Sequence, residues 1–130
     1  MSGTPYADDP TIDDRAELWR RIPSWHVIYD QNLQRLRPSS AAFEDHPNGS
    51  PMSVILGDDV LRDGRTAASL MKSFPGFSLA AITAGIARSC QQGVAREALA
   101  DEPAHAVVFG RKSESVKRRL AKSAHWVMPP

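Results

Sequence analysis

Residues 37–56, RPSSAAFEDHPNGSPMSVIL, join two apolar parts of the chain through a dense turn. The turn lies at residues 44–51, where Pro47, Gly49 and Pro51 stand close together. Residues 52–56, MSVIL, then read as a strand that Gly57 ends. Polar side chains therefore flank a sharp connection between two core elements. Loops held by a rigid scaffold are where functional residues concentrate, so this stretch is a first place to look for a site.

The composition predicts one soluble domain. The chain has 130 residues, 42% of them hydrophobic and 24% charged, with a formal net charge of +1. Its single cysteine, Cys90, excludes an internal disulfide and fits a reducing compartment. The acidic N-terminus lacks the basic start and apolar run of a secretory signal. No apolar run approaches the ~18 residues of a membrane span. We therefore expect a cytoplasmic protein with no membrane contact.

The pattern of apolar residues predicts a flexible acidic tail over residues 1–15 and a single domain over 16–130. The predicted strands cover residues 17–22, 25–29, 33–37, 52–56, 78–84, 93–97, 105–109 and 126–128, the first three as a meander. A helical turn is the alternative for 17–22, and an apolar plug is the alternative for 126–128. The predicted helices cover 58–61, 66–74 and 113–124. Run 77–90 also fits one helix face, and Gly85 favours strand. This irregular mixture predicts an α+β fold: a single compact domain, with a mixed or antiparallel sheet and two or three helices.

The last predicted helix is strongly basic. Its cations, opposed only by Glu114, are Arg111, Lys112, Lys117, Arg118, Arg119 and Lys122. They lie off the apolar stripe of Val116, Leu120 and Ala124, so the helix would bury one face and present a positive one. Such a face attracts phosphates. The alternatives are a plain solvated face that complements the helix dipole, or one masked by the acidic tail.

A second hypothesis is nucleotide chemistry. Arg20 or Arg21, then Ser39 and Ser40, then Glu97 or Glu102 occur in the order of the Arg–Ser–Glu residues of mono-ADP-ribosyltransferases. The resemblance is to that order and those residue types. It would imply an arginine on phosphate, a serine at the nicotinamide pocket and a glutamate on the ribose. The chain lacks the aromatic pocket loop and the Gln/Glu-x-Glu element of that family.

A third hypothesis is that the protein has a metal site or a hydrolytic site. The four histidines, His26, His46, His105 and His125, show neither HxxxH nor HExxH spacing, and there is no CxxC, so we expect no metal and no cofactor. Ser39 or Ser53, a histidine and Asp45 are residue types that form nucleophilic sets, without a GxSxG elbow. Cys90 has no recognisable activating neighbours.

Three elements of the chain, RPSSAAFED followed by MSV, DEPAHAVVFGRK and RRLAKSAHWVMPP, resemble those of a set of small uncharacterised bacterial proteins. The resemblance spans about residues 18–130 and carries no activity. It implies a bacterial source. It also implies that the following residues belong to a shared scaffold or site: Ser39, Ser40, Phe43, His105 and Gly110.

The sequence thus favours a bacterial cytoplasmic binding or adaptor protein. Its basic helix, with Arg111, Lys112, Arg118 and Arg119, would engage a protein partner or a phosphate-bearing ligand such as a nucleic acid or nucleotide. The alternative is a small enzyme, ADP-ribosyltransferase-like or hydrolytic, acting on a nucleotide-type substrate. Its site would be lined by Arg37, Ser39, Ser40 and His105. An enzyme needs polar groups that converge in one pocket, whereas a binding module needs an exposed patch.

Overall fold

The computed structural model describes residues 5–130, whose strands form one large antiparallel sheet and a separate hairpin. The described strands are β1 (Glu17–Ile22), β2 (Val27–Asp30), β3 (Arg35–Pro38), β4 (Met52–Leu56), β5 (Ser78–Thr83), β6 (Gly93–Arg96), β7 (His105–Phe109) and β8 (His125–Met128). Six of them pair in the order β6-β7-β4-β1-β5-β8, and β2 pairs only with β3. The described helices are α1 (Gly57–Arg62), α2 (Ala67–Leu70), α3 (Ala84–Ser89) and α4 (Glu114–Ser123). The predicted α+β class is confirmed, with an antiparallel sheet and, within residues 5–130, four helices.

Each face of the sheet carries an apolar layer. Side chains alternate along each strand, so one strand supplies residues to both layers. Leu18 of β1 points to the side of α3 and α4, where it shares a core with Leu120. Trp19, the next residue, points to the opposite side and packs with Ile55 of β4 and Val60 of α1. β1 therefore contributes to two apolar layers. The same alternation decides to which side of the sheet each polar residue of the strand points.

The start of α1 depends on a close approach to Trp19. A Cβ atom added at Gly57 would lie 2.5 Å from Trp19 Cε2, so only glycine fits there. Gly57 therefore starts the helix as well as ending β4, and Asp58 and Asp59 lie in the first turn, where carboxylates favour the helix dipole.

Residues 66–90 differ from the prediction in two places. The helix expected over 66–74 is only α2, capped by the Thr66 hydroxyl, which accepts a hydrogen bond from Ser69 N; turns follow it to Phe77. The ambiguous run 77–90 contains both structures. It is strand β5 up to Thr83, whose hydroxyl accepts a hydrogen bond from Ile86 N and starts α3. The cap ends the strand and begins the helix at the same residue.

The predicted meander over residues 17–37 is wrong, because both edges of β1 are taken by other strands, β4 and β5. Pro23 and a short 3₁₀ helix at Ser24–His26 turn the chain out of the sheet. The hairpin β2–β3 then forms alone. It is stabilised by the ion pair of Arg37 Nε with Asp30 Oδ2 at 2.6 Å.

Part of the predicted acidic tail lies on the domain, although residues 1–4 are outside the described part and the flexibility of 1–15 stays a prediction. Asp9 N donates to Val94 O at 2.8 Å, and Asp8 Oδ1 accepts from Val94 N at 2.9 Å, so this segment covers the edge of β6. Ile12 is buried. Asp8 and Asp14 form ion pairs with Arg88 of α3, so these two carboxylates mask α3 and not the basic helix.

No helix among residues 5–130 combines the length and apolar character that crossing a membrane requires.

Candidate active site

A serine and a histidine meet on the side of the sheet opposite α4. Strands β4 and β7 pair with Ile55 opposite His105 and Ser53 opposite Val107. Ser53 and His105 are therefore diagonal neighbours on one face, within reach of each other's side chains. Ser53 Oγ lies 3.1 Å from His105 Nε2. Ser53 is exposed in a central strand, a position where burial usually favours an apolar residue.

The backbone of Glu97 orients the His105 ring. His105 Nδ1 lies 2.8 Å from Glu97 O, and a carbonyl oxygen only accepts hydrogen bonds. In the neutral ring the proton therefore lies on Nδ1, and Nε2 accepts from the Ser53 hydroxyl. The Glu97 carboxylate is also close, with Oε1 3.6 Å from Nδ1. This places a negative charge beside the ring when it becomes an imidazolium.

Tyr6, in the N-terminal segment, supports Glu97. Its hydroxyl donates to Glu97 Oε2, and its ring stacks on Phe109 with centroids 5.8 Å apart. The bond to Glu97 raises the pKa of Tyr6, so the phenol remains a donor at neutral pH. Tyr6 thus holds the Glu97 carboxylate, while the Glu97 main-chain oxygen holds the His105 ring that contacts Ser53.

A cleft of about 460 Å³ opens beside the serine and histidine, a size typical of ligand pockets. Aromatic and aliphatic walls come from Trp19, Phe74 and Leu99. The polar lining residues besides Ser53 and His105 are Arg20, Arg21, Asp101 and Glu102. The cleft therefore combines apolar walls with a few polar groups around Ser53.

Arg20 fixes the backbone at Ser53. β1 and β4 pair only at Leu18–Leu56 and Trp19–Ile55, so the strands separate beyond that point. The Arg20 guanidinium fills the gap and donates to Ser53 O at 2.7 Å and Ala42 O at 2.6 Å. Burial lowers the pKa of Arg20 to about 10, which still leaves it charged at neutral pH.

Glu102 and Arg21 supply the charges on the cleft wall. Glu102 accepts two hydrogen bonds from Arg65, at 2.9 and 2.8 Å, and this interaction is the main cause of its lowered pKa. Arg21 donates through Nε to Leu70 O at 3.0 Å, and its guanidinium carbon lies 4.0 Å above the Phe74 ring centre. Burial lowers the pKa of Arg21.

Of the predicted catalytic residues, His105 lies in the cleft, and Ser39 and Ser40 do not line it. The 3₁₀ helix Ser40–Phe43 contacts α4, on the far side of the sheet. Ser39 begins this turn, and its N–H donates to His26 O at 2.7 Å. The proposed ADP-ribosyltransferase set is therefore divided: Arg21 and Glu102 line the cleft without either of these serines. In the hydrolytic set, Ser53 meets a histidine, while Asp45 pairs with Lys112 at 2.6 Å.

Two of the predicted ligand-binding cations are engaged inside the protein. Arg37 is held by Asp30 and by its own neighbour Pro38, whose carbonyl accepts from Nη1 at 2.8 Å. Lys112 Nζ donates to Val108 O at 2.9 Å, and its side chain is only 4% exposed. Burial lowers the pKa of Lys112. Both residues therefore act in the structure as internal partners.

The other predicted ligand-binding cations lie at the surface, whereas Lys117 of the same helix is 14% exposed and pairs with Glu114 at 2.6 Å. Arg111 precedes α4 and is exposed. Arg118, Arg119 and Lys122 are exposed, and Ser115 and Ser123 complete a shallow depression around them. We call Arg118, Arg119 and Lys122 the basic face of α4. Within residues 5–130, the side chains of the basic face form no ion pair or hydrogen bond.

Sequence reasoning named Ser53 together with an unspecified histidine, but it did not identify His105 as the partner, and it missed the contact of Tyr6 with Glu97. One signal was present: a lone serine in the apolar strand MSVIL, on the alternate positions that also carry Ile55. The strand partner and its register were not readable from either segment alone.

No group of three or more metal-ligating side chains is arranged to hold an ion in the part of the chain that the structure describes. Comparisons with protein-family models, curated proteins and solved structures gave no match, so the resemblance to small bacterial proteins stays a prediction.

Proposed function

We propose that the protein is a small hydrolase that cleaves an ester in the cleft, with Ser53 as nucleophile and His105 as base. The observation that carries this proposal is the 3.1 Å approach of Ser53 Oγ to His105 Nε2 beside a cleft of substrate size. A nucleophile bonded to a base that a third group orients is the arrangement of covalent acyl transfer.

The reaction follows from these positions. Ser53 Oγ attacks the acyl carbon while His105 Nε2 takes the hydroxyl proton, and the proton passes to the leaving alkoxide as the ester bond breaks. Water then attacks the acyl-serine, His105 takes a proton from that water, and Ser53 leaves with the proton returned. Glu97 keeps the ring in place, and its carboxylate offsets the positive charge that His105 carries between the two transfers.

The test is hydrolysis of an activated ester such as 4-nitrophenyl acetate. We expect Ser53→Ala to lower kcat/KM by about 1000-fold, since nucleophile and general base act as one unit. The melting temperature should not fall, because Ser53 is exposed and its removal leaves no buried gap. Ser50→Ala, an exposed serine of the preceding turn, is the matched control. Full activity in Ser53→Ala would overturn the proposal.

A second candidate function is the one that the sequence favours, binding of a protein partner or phosphate-bearing ligand on the basic face of α4. Its support is the exposure of Arg118, Arg119 and Lys122 without acidic partners among the described residues. Such cations attract anions in a salt-dependent way. We also propose that the protein is bacterial and acts in the cytoplasm.

A further inference from the structure

We propose that the cleft selects esters that carry an anionic group, a carboxylate or a phosphate, and that Arg21 binds this group. The inference rests on the hydrolase proposal and adds the chemical class of its substrate. It starts from the position of Arg21 relative to the nucleophile.

Arg21 and Ser53 point to the same side of the sheet, on strands β1 and β4, which have separated at that point. Trp19 pairs with Ile55, and both point to this side. Side chains two residues apart on a strand point to the same side, so Arg21 shares the direction of Trp19 and Ser53 that of Ile55, across the gap between the two strands. Both residues line the cleft.

The Arg21 guanidinium is held in one orientation with its outer nitrogens uncommitted. Nε is used by Leu70 O, and the plane is supported by the Phe74 ring. Within residues 5–130, Nη1 and Nη2 have no hydrogen-bond or ion-pair partner. A guanidinium fixed at one edge and open at the other binds carboxylate or phosphate oxygens through two parallel N–H groups.

Neither acidic residue of the cleft forms an ion pair with Arg21. Glu102 attracts Arg21 but uses both carboxylate oxygens on Arg65. Asp101 is exposed, and the structure gives it no ion pair with Arg21. Arg20, the other lining cation, is committed to main-chain carbonyls. An anion entering the cleft therefore meets Arg21 as the open donor.

Three matched acetate esters test this selection: 4-acetoxybenzoate, 4-acetoxyphenyl phosphate and the neutral 4-acetoxybenzamide. In the wild type, kcat/KM for at least one anionic ester should exceed that of the neutral ester by about 10- to 100-fold, the value of a charged hydrogen-bond pair. The better of the two anions identifies carboxylate or phosphate as the preferred group.

Arg21→Gln should remove this preference through KM and leave the neutral ester within about twofold. Arg21→Lys keeps the positive charge but loses the two parallel N–H donors of the guanidinium, so it should give an intermediate KM for the anionic ester. Arg62→Gln, a 71% exposed arginine of α1, is the control. The inference is overturned if Arg21→Gln lowers turnover of all three esters equally, or if the wild type does not prefer an anion.

A binding arm separates this inference from the hydrolase proposal. Calorimetry with 4-hydroxybenzoate, 4-hydroxyphenyl phosphate and 4-hydroxybenzamide measures the same selection without chemistry. If the wild type hydrolyses no ester but an anionic phenol binds through Arg21, the hydrolase proposal fails and the anion site stands. Equal affinity for the three phenols, or anion binding unchanged in Arg21→Gln, contradicts the anion site.

Discussion

The cleft around Ser53 and the basic face of α4 lie on opposite sides of the sheet and hold their polar groups differently. In the cleft, Ser53 is bonded to His105, His105 to Glu97, and Glu102 to Arg65. On the basic face, the cations are exposed and, among the described residues, unpaired.

This difference separates two kinds of function. Groups fixed by hydrogen bonds have one geometry, which chemistry on a bound substrate requires. Free side chains of arginine and lysine have many rotamers, which suits attraction of an anionic partner without fixed geometry. Arg37 belongs with the fixed groups although it lies in the hairpin, since its side chain is 11% exposed and bound to Asp30.

The largest stability effect should come from removing the partner of a fixed cation. Asp30→Asn leaves the buried, charged Arg37 without its ion-pair partner, and we expect the melting temperature to fall by about 10 °C in a thermal unfolding scan.

The matched change on an exposed pair is Glu114→Gln, which removes a carboxylate that is 75% exposed from Lys117. It should shift the melting temperature by no more than about 2 °C. Equal shifts in melting temperature in the two variants would show that a buried ion pair stabilises this protein no more than an exposed one.

Charge reversal on the basic face should change binding and not stability. We expect Arg118→Glu with Arg119→Glu to weaken binding of a labelled single-stranded oligonucleotide by about 10-fold or more at low salt, measured by fluorescence anisotropy. The melting temperature should stay within about 2 °C, because both residues are exposed.

A control double variant, Arg15→Glu with Arg62→Glu, makes the same change in net charge at two other exposed arginines. If it weakens oligonucleotide binding as much, the effect belongs to the overall charge and the basic face is not a site.

A smaller stability effect than that of Asp30→Asn concerns the pH dependence of stability at Glu102. Arg65 lowers the pKa of this carboxyl in the folded protein, so its contribution is complete above the unfolded value of about 4.5 and is lost as the pH falls through the lower folded value. Glu102→Gln should therefore lower the melting temperature by about 3 °C at neutral pH, and the difference should shrink below about pH 4.5.

A double-mutant cycle checks the assignment to Arg65. Adding Arg65→Gln to Glu102→Gln should cost less than Arg65→Gln alone. A difference between wild type and Glu102→Gln that stays constant as the pH falls below about 4.5 would contradict the linkage.

Local patterns predicted most of the elements. Short apolar runs ended by Pro23, Gly57 and Gly110 predicted β1, β4 and β7, and Ser113, whose hydroxyl accepts from Val116 N, predicted the start of α4. His105 was named as a candidate through the resemblance of the DEPAHAVVFGRK element, and it lies in the cleft. These features depend on a few neighbouring residues, which the sequence displays directly.

The contacts that make the site depend on distant residues. Ser53 meets His105 through the pairing of β4 with β7, and Tyr6 reaches Glu97 from the N-terminal segment. A shift of one residue in register would send Ser53 or His105 to the other face, and no local pattern fixes that register. Lys112 was predicted to be a surface cation because its ion-pair partner, Asp45, comes from a distant part of the chain.

The central claim is that His105 activates Ser53, and labelling with a fluorophosphonate tests it most directly. In this reaction the Ser53 oxygen bonds to phosphorus, the phosphorus–fluorine bond breaks, fluoride leaves and His105 takes the hydroxyl proton. We predict one adduct, located on Ser53 by peptide mass spectrometry, that forms at least about 100-fold more slowly in His105→Gln. No adduct, an adduct on another residue, or an unchanged rate in His105→Gln would contradict the account.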